Sequence, residues 1–352
     1  MVDPHIQFRQ SRYFPSLDGL RAISILAVVW HHSGFHGSGI FSRGYLGVQL
    51  FFAISGFLIT TLLLREREST GHINLRDFYV RRTLRIFPLY YATIAIYALL
   101  VHFSERATER GALFHANLPA YLTYTSNWFV DLIAGKSVIF YFAWSLATEE
   151  QFYLCWPSIM RFSRTWRFPV FAISTLLVVG ELARFARDHH FVSTSALLPK
   201  ILASIASPIC LGCICAIAVH GPKGFALAYR IAGRPWSAPL ALVLLVGAFS
   251  FELPSFANAV IMVYLVLACV IRQHHYLRAA LDNSAVRYLG TISYGMYLLN
   301  MLALNLVRKI LGDSEGSLQQ FACTTIVVIL IASISYYGFE APFLRLKKRF
   351  SH

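Results

Sequence analysis

Charged side chains are scarce in this chain of 352 residues, and the acidic ones are the scarcest. Asp, Glu, Lys and Arg make up 14% of the residues, against about 25% in an ordinary soluble domain. Hydrophobic residues make up 57%. This composition argues against a soluble protein. It predicts an all-α polytopic membrane protein, because a helix satisfies its own backbone hydrogen bonds in lipid.

Long polar linkers and internal repeats are also missing. The longest non-apolar stretch runs only from 65 to 85, so we expect one membrane domain over 1–352 and no separate soluble domain. We expect no cleavable signal peptide, because the first apolar segment contains Arg21 and no small-residue cleavage site follows it.

Cysteine is rare, and all six cysteines lie within apolar stretches. Cys210 and Cys213 have the CxxC spacing of some metal and redox sites, but no second ligand cluster pairs with them. Small buried hydrophobic side chains are the favoured interpretation. We therefore expect no metal site.

Apolar runs long enough to cross the hydrocarbon core occur about ten times. A less apolar segment, 118–134, contains Asn127 and Asp131 and is interpreted as a re-entrant or interfacial piece. The predicted spans are 17–34, 45–64, 86–103, 139–160, 168–186, 197–219, 236–253, 256–272, 288–307 and 321–340.

The excess of basic residues, with a formal net charge of +14, supports this topology. With both termini cytoplasmic, twenty-one basic residues lie inside and nine outside, as the positive-inside rule requires. If 118–134 crossed the membrane fully, every later loop would lie on the opposite side, and Arg161, Arg164 and Arg167 would be outside. We therefore expect a multi-pass protein of the cytoplasmic (inner) membrane, with membrane lipid and not nucleic acid around its basic residues.

Arg21 and His32 lie in the first apolar segment. Eleven residues of α-helix turn through about 1100° and rise about 16 Å, so both side chains leave nearly the same face. Ionisable groups at membrane depth usually face the bundle interior and mark a site. The alternative is a solvated, inert histidine at the end of a helix.

Glu149 and Glu150 are predicted in the outer half of the fourth span, toward the side that His32 approaches. A carboxylate beside a histidine fixes its tautomer and stabilises the imidazolium, which suits a catalytic base. Adjacent residues project about 100° apart, so one of the two carboxylates is expected to face the site. The alternative is a structural ion pair with an arginine.

A cluster of arginines stands where the third span is predicted to meet the cytoplasm. Arg82 and Arg85 share a helix face, and guanidinium groups match phosphate oxygens well. Contacts with lipid headgroups are the alternative. In 43–60, the small residues Gly44, Gly47 and Gly56 predict close helix packing, and Ser55 is a weaker candidate ligand contact.

Together these stretches resemble the acyltransferase-3 family of integral membrane acyltransferases. The similarity is carried by motifs that occur in order between residues 17 and 346. The motifs are LDGLRAISILAVVWHH with Arg21 and His32, GYLGVQLFFAISGFLIT, FYVRRTLRIFPLYY with Arg82 and Arg85, WSLATEEQFYLCWP with Glu149, LGTISYGMYLLN and FEAPFLRL.

The resemblance implies transfer of an acyl group, often acetyl, from cytoplasmic acyl-CoA to a hydroxyl of a glycan or glycosylated acceptor. His32 would be the base or acyl relay and Glu149 its partner, while Arg21, Arg82 and Arg85 would bind the donor. Acyl-CoA (acetyl-CoA) is a co-substrate, and no bound cofactor is implied.

Two departures from the family pattern matter. Many members have a histidine where this chain has Asn300, so no catalytic role transfers to that position. Some members carry an extra hydrolase-like domain that passes on the acyl group. Without one, this chain either acylates its acceptor directly or needs a separate partner.

Three other functions compete with this interpretation. A transporter or flippase would show paired repeats with broken helices at matching positions, and none is visible in the sequence. A catalytically silent relative would have lost the key residues. A membrane O-acyltransferase of the other histidine type would not place its candidate histidine at the start of the chain.

Overall fold

A computed structural model describes residues 3–11, 13–34, 39–131, 138–193, 196–312 and 316–350. Every regular element within these ranges is helical, as the composition predicted. A 3-10 helix, Gly39–Leu46, precedes α3, and a π-helical turn, Tyr336–Glu340, joins α16 to α17. The α-helices are α1 (Pro4–Gln10), α2 (Pro15–His32), α3 (Gly47–Thr70), α4 (Leu75–Ser104), α5 (Glu109–Leu122), α6 (Ser126–Phe129), α7 (Ala143–Phe162), α8 (Arg167–Asp188), α9 (Leu197–Ala203), α10 (Ser207–His220), α11 (Pro222–Ala232), α12 (Ser237–Ser250), α13 (Ser255–Ile271), α14 (Arg278–Leu281), α15 (Ser284–Leu311), α16 (Leu318–Ser335) and α17 (Ala341–Lys348).

The number of candidate membrane spans is smaller than the ten predicted. In the described part of the chain, four helical stretches are long and apolar enough to cross a membrane: Ser42–Thr70, Leu75–Ser104, Arg167–Asp188 and Leu318–Lys348. The pairs α9–α10 and α11–α12, bent by 43° and 70°, raise the number to six if each pair is one span. The protein is therefore multi-pass, with four to six candidate spans.

The difference has three physical causes, namely charged side chains, short length and sharp bends. Helices α2 and α7 match predicted spans but carry charged residues, Asp18 and Arg21 in one and Glu149 and Glu150 in the other. Helix α13 is apolar but has only 17 residues. An apolar run in sequence also does not reveal a sharp bend, such as the one between α9 and α10.

Helix α8 shows the apolar outer surface expected of a membrane protein. Phe171, Leu182 and Phe185 are all more than half exposed on it. A row of large exposed apolar side chains on one helix fits contact with lipid better than contact with water.

The described part of the 118–134 segment is not one continuous helix. It contains the end of α5, a turn and the short helix α6, while 132–134 lie outside the described residues. Asn127 is buried and exchanges hydrogen bonds with Gln151 of α7, at 3.0 Å and 2.9 Å. Polar groups satisfied within the protein are what an irregular segment needs at membrane depth.

The chain forms two compact units. The first comprises Met1–Gly71 and Ser207–Gly338, and in it α2 packs on α3 and α15 while α3 packs on α10. Small residues allow these approaches: a Cβ on Gly47 would lie 2.4 Å from the carbonyl oxygen of Ser24, and one on Gly56 2.2 Å from that of Ile209. The predicted packing role of 43–60 is confirmed at these positions.

The second unit comprises His72–Ala206 and Phe339–His352. In it α4 runs antiparallel to α7. The Tyr79 hydroxyl donates to the carbonyl oxygen of Leu154 at 2.7 Å, and three residues further along α4, Arg82 reaches Glu150, one turn earlier on α7. This register decides which polar side chains of the two helices meet.

Candidate functional site

Arg21 and His32 lie on one uninterrupted helix, α2, in the first unit. Pro15 stands in its first turn, where a missing N–H costs no intrahelical bond. Because no break separates the two residues, both side chains leave nearly the same face of α2, as predicted.

Arg21 is held by a carboxylate one turn earlier on α2. Its Nη1 donates to Oδ1 of Asp18 at 3.1 Å, and the Tyr13 hydroxyl donates to Oδ2 of Asp18. Burial, followed by this hydrogen bond, raises the pKa of Tyr13 to about 12, so its hydroxyl remains a donor at neutral pH. The Arg21 side chain is still 24% exposed and can meet a ligand.

His32 contacts an amide from a distant part of the sequence. Its Nδ1 lies 2.6 Å from Oδ1 of Asn300 on α15, and the Asn300 Nδ2 donates to the backbone carbonyl oxygen of Tyr297. Asn300 is 1% exposed. The resemblance gave no role to this position, and nothing in the sequence predicted this contact.

Close packing of α2 and α15 brings His32 and Asn300 together. A Cβ on Gly290 would lie 2.1 Å from the carbonyl oxygen of Asp18, which only glycine avoids. Since Asp18 meets Gly290 and His32 meets Asn300, the two helices run in the same direction. Helices α2 and α15 correspond to the first and ninth predicted spans, 17–34 and 288–307. Odd-numbered spans cross the membrane in the same direction, so the parallel packing agrees with that order.

Aromatic rings border the end of α2. The ring of His31 lies 5.8 Å from that of His32 and 5.6 Å from that of Tyr45. Trp30 meets Phe321 of α16 edge to face at 4.9 Å. Ring contacts on both sides of the helix restrict the rotation of its last turn.

The second unit holds a polar cluster, which we call the Arg82 cluster: Arg82, Glu149, Glu150 and Tyr153. The Arg82 guanidinium lies 3.6 Å from the ring centre of Tyr153, and its Nη2 lies 4.0 Å from Oε1 of Glu150. The Tyr153 hydroxyl donates to Oε1 of Glu149. Cation–π and ionic contacts therefore fix the arginine.

The Arg82 cluster corrects the predicted depths. The sequence predicts Arg82 at the inner edge of the membrane and Glu149 and Glu150 in the outer half. Contact between Arg82 and Glu150 puts them at one level. Helix α4 begins at Leu75, well before the predicted span 86–103, so Arg82 lies two turns into the helix.

The structure brings together some predicted site residues and keeps others in separate units. Arg82 and Arg85, the latter half-buried, stand one turn apart on α4, and Arg82 contacts Glu150. Arg21 and His32 belong to the other unit. The predicted coupling of His32 to Glu149 therefore stays a prediction, and the ion pair of Glu150 matches the alternative left open for the two glutamates.

Tyr153 is a second residue that the sequence analysis missed. It follows Glu149 by four residues, and residues at this spacing are neighbours on a helix surface. That signal was present in the sequence. Asn300 gave no such signal, because no spacing rule relates it to His32.

Comparison with known protein families gives one match over most of the chain. The model of the Acyl_transf_3 family, described as an acyltransferase domain, matches residues 14–337. The match runs through both compact units and includes all five predicted site residues.

Several curated proteins are similar over nearly the whole chain. The peptidoglycan O-acetyltransferase OatA of Listeria monocytogenes is 27% identical over 94% of this chain and 56% of its own length. YrhL of Bacillus subtilis, provisionally named a peptidoglycan O-acetyltransferase, is 28% identical over 94% of this chain and 55% of its own. A provisionally named O-acetyltransferase of Staphylococcus aureus is 26% identical over 96% of this chain and 58% of its own length. The chain thus spans somewhat over half the length of these relatives, and no solved structure matches it.

Proposed function

The chain belongs to the Acyl_transf_3 family of acyltransferases, and we propose that it moves an acyl group, acetyl in the first instance, from cytoplasmic acyl-CoA to a hydroxyl of a glycan. The observation that carries the proposal is the similarity to O-acetyltransferases over more than nine-tenths of the chain. Two of these relatives are named for peptidoglycan, so a cell-wall glycan is the first acceptor to test.

The chemistry requires a base, and His32 is the proposed one. The acceptor hydroxyl oxygen attacks the thioester carbonyl carbon while His32 takes its proton. The carbon–sulfur bond then breaks, and the proton goes to the departing thiolate, so the products are the acetyl ester and the free thiol of CoA. Transfer through an acyl-histidine is a variant of the same step.

The arginines are proposed to bind the phosphates of the donor. Guanidinium groups pair with phosphate oxygens in two-pronged geometry. Arg21 is oriented by Asp18, and Arg82 by Tyr153 and Glu150, so both are preorganised. The rise of about 16 Å from Arg21 to His32 along α2 is on the scale of a phosphopantetheine arm.

A protein within the membrane suits this reaction for a reason of compartments. Acyl-CoA is made in the cytoplasm, whereas wall glycans and their lipid-linked precursors lie partly on the other side. A helical bundle open to both sides can join the two substrates. The multi-pass fold supports this arrangement.

The test is transfer of label from radioactive acetyl-CoA to soluble peptidoglycan fragments by purified full-length chain in nanodiscs. We expect His32→Ala to lower transfer roughly 10³-fold or more. A matched control is His115→Ala, since His115 is exposed on α5 and bonds its own helix backbone. Full transfer by His32→Ala, or continued thiol release without acceptor beyond one equivalent per enzyme, would overturn the proposal.

A transporter remains the main alternative, and one observation favours it. The bent pairs α9–α10 and α11–α12 are broken helices of the kind that line transport paths. However, the two pairs follow each other directly in the chain and are not repeated in separate halves. Movement of glycan across vesicles without consumption of acetyl-CoA would support that function.

A further inference from the structure

We propose that Asn300 is a positioning residue that holds His32 as the tautomer with hydrogen on Nδ1, which makes Nε2 the basic atom. The inference rests on the proposed function for its kinetic consequences, but the tautomer itself can be measured without any activity. It gives a role to a position where the family resemblance implied none.

The orientation of the Asn300 side chain is the first step. A backbone carbonyl oxygen can only accept a hydrogen bond, so the amide group facing Tyr297 must be Nδ2, the donor. The amide oxygen then faces His32. The oxygen and nitrogen of an amide cannot be distinguished by shape. Here the hydrogen bonds distinguish them, with Nδ2 toward Tyr297 and Oδ1 toward His32.

The protonation of His32 follows from that orientation. Oδ1 of Asn300 lies 2.6 Å from Nδ1 of His32 and carries no hydrogen. The hydrogen in this short contact must therefore belong to Nδ1. A neutral imidazole has one N–H, so Nε2 keeps its lone pair and can take a proton or attack a carbonyl.

An amide does only part of what a carboxylate does in a catalytic triad. It fixes the tautomer and the ring orientation, but it brings no negative charge to stabilise the imidazolium. Charge stabilisation must then come from another group, and the predicted role of Glu149 is of that kind. An acidic residue usually combines the two functions, and Asn300 supplies only the first.

The packing around Asn300 explains why it can hold the ring firmly. Asn300 is 1% exposed on α15, and α15 lies tightly against α2 because Gly290 allows contact with the Asp18 backbone. The ring of His31 lies 5.8 Å from the ring of His32. A bond formed between two packed helices keeps its geometry better than one formed from a loop.

Nitrogen-15 NMR of histidine-labelled protein in nanodiscs tests the tautomer directly. The His32 signals are identified by their loss in His32→Gln. We expect a protonated Nδ1 and an unprotonated Nε2 in the wild-type protein, and loss of this preference in Asn300→Leu. A wild-type His32 with its hydrogen on Nε2 would overturn the inference whatever the enzyme does.

Kinetics provide the second test. We expect Asn300→Leu to lower kcat roughly 10²-fold or more, with KM for acetyl-CoA changed by less than about twofold, because the wrong tautomer disables the base without touching the donor site. Asn300→Asp keeps an acceptor oxygen and should restore most of kcat. Equal rates in Asn300→Leu and the wild-type protein would contradict the inference.

The matched control is Asn258→Leu. Asn258 is the same residue type, 2% exposed on α13 of the same unit, and its side chain bonds the backbone of Leu253. A similar loss of kcat in both variants would mean that a buried asparagine matters only for folding. If His32→Ala keeps full activity, the proposed function fails, while the NMR result still decides the tautomer.

Discussion

The two units hold their candidate site residues by different means. In the first, His32 is held by a neutral amide, and in the second, Arg82 is held by a carboxylate and an aromatic ring. A neutral hydrogen bond selects a tautomer at small electrostatic cost. A partly buried charge must be matched by another charge, so the Arg82 cluster depends on every one of its members.

The difference fits the separate tasks proposed for His32 and Arg82. A base must exchange a proton, and a fixed counter-charge is not needed to orient it. A phosphate-binding arginine must stay charged and in place before the ligand arrives, which the Arg82 cluster provides. Variants that disturb one arrangement should therefore leave the other intact.

The largest effect on stability is expected from Gly290→Ala. The added Cβ would lie 2.1 Å from a backbone oxygen of α2, which cannot rotate away, so α15 must shift and carry Asn300 from His32. We expect a loss of about 3 kcal/mol in the free energy of unfolding, at the upper end for overpacking, with a parallel loss of acetyl transfer. Thermal unfolding in detergent measures the first quantity.

Gly247→Ala on α12 is the control for that variant. Nothing lies within 4 Å of a Cβ at this position. Alanine should be neutral there or stabilise the helix by up to about 1 kcal/mol. Equal stability of the two alanine variants would show that the α2–α15 contact is looser than described.

A smaller effect is expected from breaking the ion pair of the Arg82 cluster. Glu150→Leu leaves Arg82 without the carboxylate at 4.0 Å. We expect the free energy of unfolding to fall by about 2 kcal/mol. The loss is smaller than for a fully buried pair because both side chains keep some contact with solvent. The tautomer of His32 should not change.

The double variant Arg82→Leu/Glu150→Leu sharpens that result. Removing both charges should recover part of the lost stability, since no unpaired charge remains, while KM for acetyl-CoA rises. Strict additivity of the two single variants would mean that the pair contributes nothing. The readouts are thermal unfolding and initial rates.

The smallest effect concerns pH and lies at the start of α2. Ser16 lies 3.1 Å from Nε2 of buried His275 and donates to Asp282 at 2.7 Å. Burial is the main cause that lowers the pKa of His275, and Arg278 adds to it, while Asp282 acts in the opposite direction.

The sign of this effect follows from proton binding. His275 binds a proton less readily in the folded protein than in the unfolded chain. Its contribution to the free energy of unfolding is therefore complete above about pH 6.5, the pKa in the unfolded chain, and is lost as the pH falls through the lower pKa of the folded state. We expect the unfolding temperature to fall between pH 7.5 and 5, and less steeply in His275→Gln. Parallel curves for the two proteins would contradict this.

Sequence reasoning worked where a rule relates residues close in the chain. The shared helix face of Arg21 and His32 and the close packing at the small residues of 43–60 both depend on local periodicity or composition. The span count was wrong mainly because some apolar runs are too polar or too short: α2 and α7 carry charged side chains, and α13 has only 17 residues. The separate depths predicted for Arg82 and Glu150 were wrong because the packing of α4 on α7 brings the two side chains together.

Asn300 lay beyond any local rule. It is separated from His32 by most of the chain, and only the packing of α15 on α2 joins them. A neutral amide in a span also attracts less attention than an ionisable group. The sequence shows Asn300 as a departure from the family pattern, but its contact with His32 emerged only from the three-dimensional arrangement.

Release of the CoA thiol tests the central claim most directly. Wild-type chain and His32→Ala are compared in nanodiscs with acetyl-CoA and a glycan fragment, after matched thermal unfolding shows that both are folded. We predict acceptor-dependent release by the wild-type protein and a loss of roughly 10³-fold or more in the variant. Equal release by both proteins would contradict the assignment of His32 as the base.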